Sequence, residues 1–187
     1  MATAHHRKKE PDKVRRSLIE RTAKLALDQG PAAITIQAVA EAAGVTKGGL
    51  LHHFSSKQAL IEAVFDDLLK QFSDEIDRFM ADDPEPIGRF TRAYVRAAFA
   101  DHKLGTRSPW AALSATTIFD PAMRKQWSNW LDARLEVHSA TDNSPRLEIV
   151  RLAADGVWMA DLMGQGRPVT RDLSHLEPQL LALASEK

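Results

Sequence analysis

Residues 34–60 read ITIQAVAEAAGVTKGGLLHHFSSKQAL. Thr35 stands where a helix N-cap is needed, and Ala38, Val39 and Ala40 provide small and apolar inner positions. Gly44 breaks that helix. Thr46 then caps a second helix carrying Lys47, two glycines, a Leu-Leu pair and two histidines, and Ser55 starts a third. A short helix, a glycine-containing turn and a second helix form the arrangement that lays one helix against the major groove of DNA.

Outward from this stretch the chain reads as helical throughout. Asp12 caps a first helix expected to run to about Gln29, with Val14, Leu18, Thr22 and Leu25 along one side and Gly30-Pro31 ending it. Ser55 and Gln58 form a Ser-x-x-Gln capping box that opens a long helix. Ile61, Val64, Phe65, Leu68, Phe72, Ile76, Phe79 and Met80 recur along it at three- and four-residue steps. The run Asp82-Asp83-Pro84-Glu85-Pro86 ends it. A helix over about 86–103 is expected next. Ser108-Pro109, Asp120-Pro121 and Ser144-Pro145 each pair a capping side chain with a proline whose missing N–H costs nothing at the first helical position. They predict helices over about 109–118, 121–139 and 145–164, and a last one runs from Pro178 to Ala184. No segment alternates apolar and polar residues, so the fold class is all-α: a three-helix helix-turn-helix domain followed by a larger helical domain.

Composition narrows the classes of function. The 187 residues suffice for one or two small domains. With no cysteine, neither a disulfide frame nor a thiolate metal site is available. The first residues, MATAHHRKKEPDK, hold no apolar segment that would read as a secretory signal, and no apolar run nears the roughly 20 residues that span a bilayer. A cytoplasmic, soluble protein without membrane contact is expected. Net charge is zero, yet residues 1–60 hold ten Lys/Arg against five Asp/Glu, while the remainder holds fifteen against twenty. That asymmetry suggests that the first third meets a polyanion.

The candidate DNA-contacting residues are Thr35, Gln37, Thr46, Lys47, Gly48, Gly49, His52, His53 and Lys57. Lys47 lies in the first turn of the second motif helix, the part that usually meets base edges. Gln37 has an amide able to bond adenine bidentately. The threonines, histidines and Lys57 suit phosphate oxygens, and Lys57 also sits at a helix N-terminus where free N–H groups favour an anion. Two successive glycines cost about 1 kcal/mol each in a helix. Either a bare backbone allows close approach to DNA, or the glycines relieve crowding against neighbouring helices. Adjacent histidines on a helix point about a hundred degrees apart and cannot chelate one metal, so no metal site is expected. Val39, Ala40, Ala43, Val45, Leu50 and Phe54 form the small core beneath.

These residues resemble the TetR family of transcriptional regulators. The family's amino-terminal pattern is similar to T-x-x-x-[IV]-A-x-x-A-G-V-[ST]-x-G-x-L-Y-x-[HY]-F-x-[ST]-K-x-x-L. Thr35, Val39, Ala40, Ala43, Gly44, Val45, Thr46, Gly48, Leu50, His53, Phe54, Ser56, Lys57 and Leu60 fall on it in register. The resemblance covers about the first third of the chain. It implies a homodimer that inserts one recognition helix per subunit into each half of a palindromic operator, represses transcription, and is released when a small molecule occupies the second domain. One position departs: the family usually has tyrosine where this chain has Leu51. Leucine cannot donate a hydrogen bond, which leaves that phosphate contact to His52 or His53.

All four tryptophans lie beyond residue 100, and four of the five methionines lie beyond the motif. Large aromatic and soft side chains suit an apolar ligand cavity as well as an ordinary core. Phe65, Trp110, Trp127, Asp155, Trp158 and Met159 are the candidate ligand residues, for a small apolar or amphipathic effector. Asp155 and Asp161 interrupt the otherwise apolar LAADGVWMADLMG and must each reach solvent, a basic partner or a ligand. Small residues at Ala153, Gly156, Ala160 and Gly164, with Leu180 and Leu181 in the last helix, resemble the family's dimer seam; an intrachain packing face would use the same residues. The domain division expected is 1–56 for DNA binding, with 1–11 a flexible tail, and 57–187 for effector binding and dimerisation. No nucleophile–base pair, metal-ligand spacing or phosphate loop marks a catalytic site or a cofactor. The competing reading is a helical small-molecule-binding protein or enzyme whose helix-turn-helix does not read DNA.

Overall fold

The computed structural model describes residues 11–104, 108–110, 112–113, 120–164 and 173–186, with side chains described only to residue 160 in the helix that ends at Gly164. Residues 1–10 of the candidate tail 1–11 and the side chains of Asp161 and Gly164 lie outside the described residues, and Pro11 is the first residue of a helix. All regular structure among the described residues is helical. The chain divides into two compact units, Met1–Val64 and Phe65–Lys187.

In the first unit, α1 (Pro11–Gln29) buries Leu18, Ile19, Thr22 and Ala26. The Thr22 hydroxyl donates to the Leu18 carbonyl at 2.7 Å, which removes the cost of its burial. A 3-10 turn (Pro31–Ala33) follows and delivers the fully buried Ile34. Helix α2 (Ile36–Ala42) opens on the Thr35 hydroxyl, which accepts from the Ala38 N–H at 3.0 Å. It closes in a Schellman motif: Gly44 takes φ +66, the Val45 N–H reaches the Ala40 carbonyl at 3.0 Å, and the Gly44 N–H reaches the Glu41 carbonyl at 3.1 Å. Helix α3 (Lys47–His53) is capped by Thr46, whose hydroxyl accepts from the Gly49 N–H at 3.0 Å. Val39, Ala40, Leu50 and Phe54 are buried as expected, whereas Ala43 and Val45 are half-buried.

Helix α4 (Lys57–Ala81) begins one residue later than the expected box requires. Its cap is Ser56, not Ser55: the Ser56 hydroxyl accepts from the Ala59 N–H at 3.0 Å. The Gln58 amide donates to Glu62 at 3.1 Å, one turn ahead. The boundary between the units falls within α4 rather than at its start, after the buried residues Leu60, Ile61 and Val64.

The second unit is built around α5 (Arg89–Leu104), buried on nearly every side through Phe90, Ala93, Tyr94, Val95, Ala97 and Phe99. It starts later than the expected residue 86 because the preceding loop wraps a guanidinium. Arg92, buried, donates to both oxygens of Asp83 at 2.7 and 3.0 Å, to the Glu85 and Ile87 carbonyls at 2.7 Å each, and to the Ala184 carbonyl at 3.3 Å. Asp83 is held below the usual carboxylate range, first by its hydrogen bond from Arg92, against the opposing effect of burial. Gly88 at φ +73 makes the turn; a Cβ there would come within 2.5 Å of the Ala184 carbonyl oxygen.

Helix α6 (Pro121–Val137) is capped by Asp120, whose carboxylate accepts from the Ala122 and Met123 N–H groups at 2.8 and 3.3 Å. A short α7 (Ser139–Asp142) leads to α8 (Pro145–Gly164), and α9 (Leu176–Ser185) starts slightly before the expected Pro178. Residues 109–110 and 112–113 of the expected 109–118 helix are helical; the rest of that segment lies outside the described residues. Helix α5 packs on α8 and α9, which also pack on each other. A buried polar network pins α5 to α7 and α8. Asp142 accepts from the Thr91 N–H and hydroxyl at 2.8 and 2.7 Å, and Arg151 donates to the Thr91 hydroxyl at 2.6 Å.

Candidate DNA interface and effector cavity

The first unit presents α3 with one side turned inward through the buried Leu50 and Phe54. Its other side exposes Lys47, Gly48, Leu51 and His52, with Gly49 and His53 half-buried. The histidine rings meet edge to face, 5.5 Å between centroids. Thr35, Gln37, Thr46 and Lys57 are also exposed, so every candidate DNA-contacting residue is at least partly accessible within this unit. The cap bonds of Thr35 and Thr46 use lone pairs and leave the hydroxyl protons to donate. The Gln37 amide donates to Glu41 one turn along α2, so reading a base would require releasing that bond. Beneath, the Arg15 guanidinium lies 5.0 Å from the Phe54 ring centroid.

The two glycines of α3 differ in their surroundings. A Cβ on Gly48 would meet nothing nearer than the Thr46 hydroxyl oxygen at 4.0 Å. Crowding against neighbouring helices therefore does not account for Gly48. A Cβ on Gly49 would lie 3.3 Å from the same oxygen and 3.7 Å from the Val45 Cβ, so Gly49 keeps the cap uncrowded.

The second unit contains a partly open cavity of about 370 Å³. All six candidate ligand residues, Phe65, Trp110, Trp127, Asp155, Trp158 and Met159, line it. They are joined by Phe72, Tyr94, Asp101, Arg124 and Ser128, among others, which sequence reasoning did not single out. The aromatic walls meet nearly at right angles: Trp110 and Trp127 at 84° and 6.1 Å, and Phe65 and Trp110 at 84° and 5.4 Å. Tyr94, the chain's single tyrosine and fully buried, donates its hydroxyl to Asp155. Asp155 thus has a partner in its own subunit. Burial pushes its carboxyl up, opposed by the Tyr94 hydrogen bond and the charge of Arg151. Burial also pushes the Tyr94 phenol up, reinforced by the Asp155 charge, so the phenol keeps its proton as donor. The presence of a lone tyrosine on the apolar stripe Phe90, Tyr94, Ala97 was the available sequence clue.

The face of α8 away from α5 carries Ile149 and Leu152 at 65% and 62% exposure, with Ala153, Gly156 and Ala160 also exposed. A Cβ on Gly156 would meet nothing within 4 Å. On α9, Leu180 is buried in the unit's own core and Leu181 is half-buried; Leu183 is the exposed leucine. The candidate seam residues on α9 are corrected accordingly: helical phase turns Leu180 inward and Leu183 outward.

The amino-terminal part of the chain, residues 18–64, matches the family described as bacterial regulatory proteins, tetR family. Residues 88–185 match the tetracyclin repressor-like C-terminal domain. The chain belongs to the TetR family. Among TetR-family relatives, the HTH-type transcriptional regulator BetI of Stenotrophomonas maltophilia is 30% identical over 165 residues, covering 81% of this chain and 83% of that protein. The HTH-type transcriptional repressor KstR2 of Mycolicibacterium smegmatis is 28% identical over 86 residues, 46% of this chain and 42% of its own length. The fold is also that of the transcriptional regulator FadR from Bacillus subtilis, solved with stearoyl-CoA, with a TM-score of 0.67 at 14% identity over 90% of this chain and 96% of that one. This TetR-family chain is a DNA-binding transcriptional regulator. No helix among its described residues is long and apolar enough to cross a membrane.

Proposed function

We propose that this chain is a cytoplasmic homodimeric repressor that binds a palindromic operator through α3 and leaves it when an apolar or amphipathic small molecule fills the cavity of the second unit. Residues 1–56, with Lys57 at the start of α4, hold the DNA-contacting groups, and the rest of residues 57–187 the effector and dimer surfaces. The observation that carries DNA reading is Gly48: a helix-weakening residue kept on an exposed face where its own unit leaves room for a side chain. Lys47 reads base edges, and Thr35, Thr46, His52, His53 and Lys57 hold phosphates. Gly49 keeps the Thr46 cap open, and Gln37 addresses a base after leaving Glu41.

The dimer reading is supported by the exposed apolar strip of Ile149, Leu152 and Leu183, alongside Ala153, Gly156 and Ala160, whose small size lets a second helix approach closely. A mobility-shift titration of the purified protein against DNA upstream of its own gene tests the function. Specific binding is expected at low salt, falling steeply as salt rises because neutralised phosphates release counterions. Lys47→Ala should reduce discrimination between operator and random DNA, and Lys57→Ala should weaken both alike. Absence of binding to any duplex at low salt refutes the reading.

A further inference from the structure

The lining of the cavity has a chemical bias that its volume alone does not reveal. Six aromatic rings, those of Phe65, Phe72, Tyr94, Trp110, Trp127 and Trp158, wall it. Aromatic faces carry negative quadrupole charge and attract cations, tryptophan most strongly. Among the described lining residues, two carboxylates, Asp101 and Asp155, open onto the same space beside one cation, Arg124, and the charge of Arg151 also acts on Asp155. Asp155 lines the cavity, and the Tyr94 hydroxyl donates to one oxygen of its carboxylate, which fixes the group and leaves the second oxygen as a further acceptor. Asp101 is likewise oriented by the Ser108 hydroxyl, at 2.7 and 2.8 Å to its two oxygens. An anionic guest would meet both acids and the ring faces together. A cation would be favoured by all of them, and its charge would return the Asp155 carboxyl toward the ionised form that burial disfavours.

We propose that the effector of this protein is a lipophilic organic cation, an ammonium or delocalised iminium carrying apolar groups, held by ring faces of the tryptophan corner with its charge against Asp155. The inference rests on the reading of this cavity as the effector site. Asp155 then acts as the charge-reading residue and Tyr94 as the residue that positions it.

The test is calorimetric titration of the full-length protein, with tryptophan quenching as a second readout. The probes are benzyltrimethylammonium, its uncharged carbon isostere neopentylbenzene, and the anion 4-tert-butylbenzoate. The cation is expected to bind about tenfold or more tighter than the isostere, which corresponds to about 1.4 kcal/mol, within the range of one or two desolvated cation–aromatic contacts. Asp155→Asn should remove most of that preference while leaving the isostere's affinity within about twofold. Trp158→Leu, which keeps both acids, should lower the cation's affinity more than the isostere's, and it serves if the Asn variant does not fold. Equal affinity for cation and isostere, tighter binding of the anion, or no binding of the cation overturns the proposal. A cation that binds with the expected preference but fails to release operator DNA leaves the cation site standing and refutes effector release instead.

Discussion

Replacing Gly48 by alanine separates what the fold wants from what DNA reading wants. Within its own unit the new methyl would find the Thr46 hydroxyl oxygen at 4.0 Å as its nearest contact, an unstrained distance. Its backbone is helical with no positive φ. The substitution should therefore stabilise α3 by about 0.5–1 kcal/mol, the usual difference between glycine and alanine in a helix. In a chain of this size that corresponds to a rise in Tm of roughly 1–4 °C if the unit unfolds with the rest. On DNA the same methyl occupies the space into which a sugar-phosphate strand or base edge must come. Overpacking a tight contact costs about 1–3 kcal/mol, so operator affinity should fall roughly 5- to 150-fold. Thermal unfolding by circular dichroism and fluorescence anisotropy with labelled operator measure the two halves. Gly49→Ala is the internal control: its methyl would press on the cap oxygen at 3.3 Å and should bring little or no stabilisation. If Gly48→Ala raises Tm and leaves operator affinity unchanged, Gly48 is not a point of DNA approach.

Other outcomes follow from named contacts. Thr46→Ala removes the acceptor for the Gly49 N–H and should cost about 1 kcal/mol of stability with weaker operator binding, whereas Thr46→Ser should retain most of both. Arg92→Met leaves Asp83 buried without its guanidinium and should destabilise by about 3–5 kcal/mol in urea unfolding, and adding Asp83→Asn should recover part of that loss. The sign of the pH effect at Asp83 is also defined. Its folded pKa lies below the ordinary aspartate value, so its contribution is complete above that ordinary value and is lost as pH falls through the lower folded one; acid unfolding of Asp83→Asn should lack that component. Ile149→Asp together with Leu152→Asp places charge on the exposed strip and should give monomers by sedimentation with helicity retained; dimers surviving both changes refute the seam.

Features governed by one helical turn were legible in the sequence. Thr35, Thr46 and Asp120 cap where their spacing predicts, because an N-cap bond joins residues two or three apart. Gly44 stops α2 because no L side chain readily takes its φ of +66. The same locality misplaced one cap: Ser55 and Ser56 are both competent, and only the onset of α4 at Lys57 distinguishes them. The start of α5 was misread for a different reason, since Arg92 gathers loop carbonyls and Ala184 from the far end of the chain, which no local pattern reports.

The cavity shows where the division lies. Apolar and aromatic side chains at helical spacing already implied that Phe65, Trp110, Trp127, Trp158 and Met159 would face inward somewhere, and the amino-terminal motif alone determined that the chain reads DNA. Which of those residues meet, and that the Tyr94 hydroxyl bonds to Asp155 across 61 positions of sequence, was decided only when α5 and α8 packed side by side. Likewise Leu180 and Leu183 are equivalent as residue types, and only the rotation of α9 against α5 and α8 buries one and exposes the other. Local hydrogen bonds act over a few residues and are written into short spacings. Long-range pairing depends on the angle and phase at which whole helices dock, which the residue types permit but do not specify.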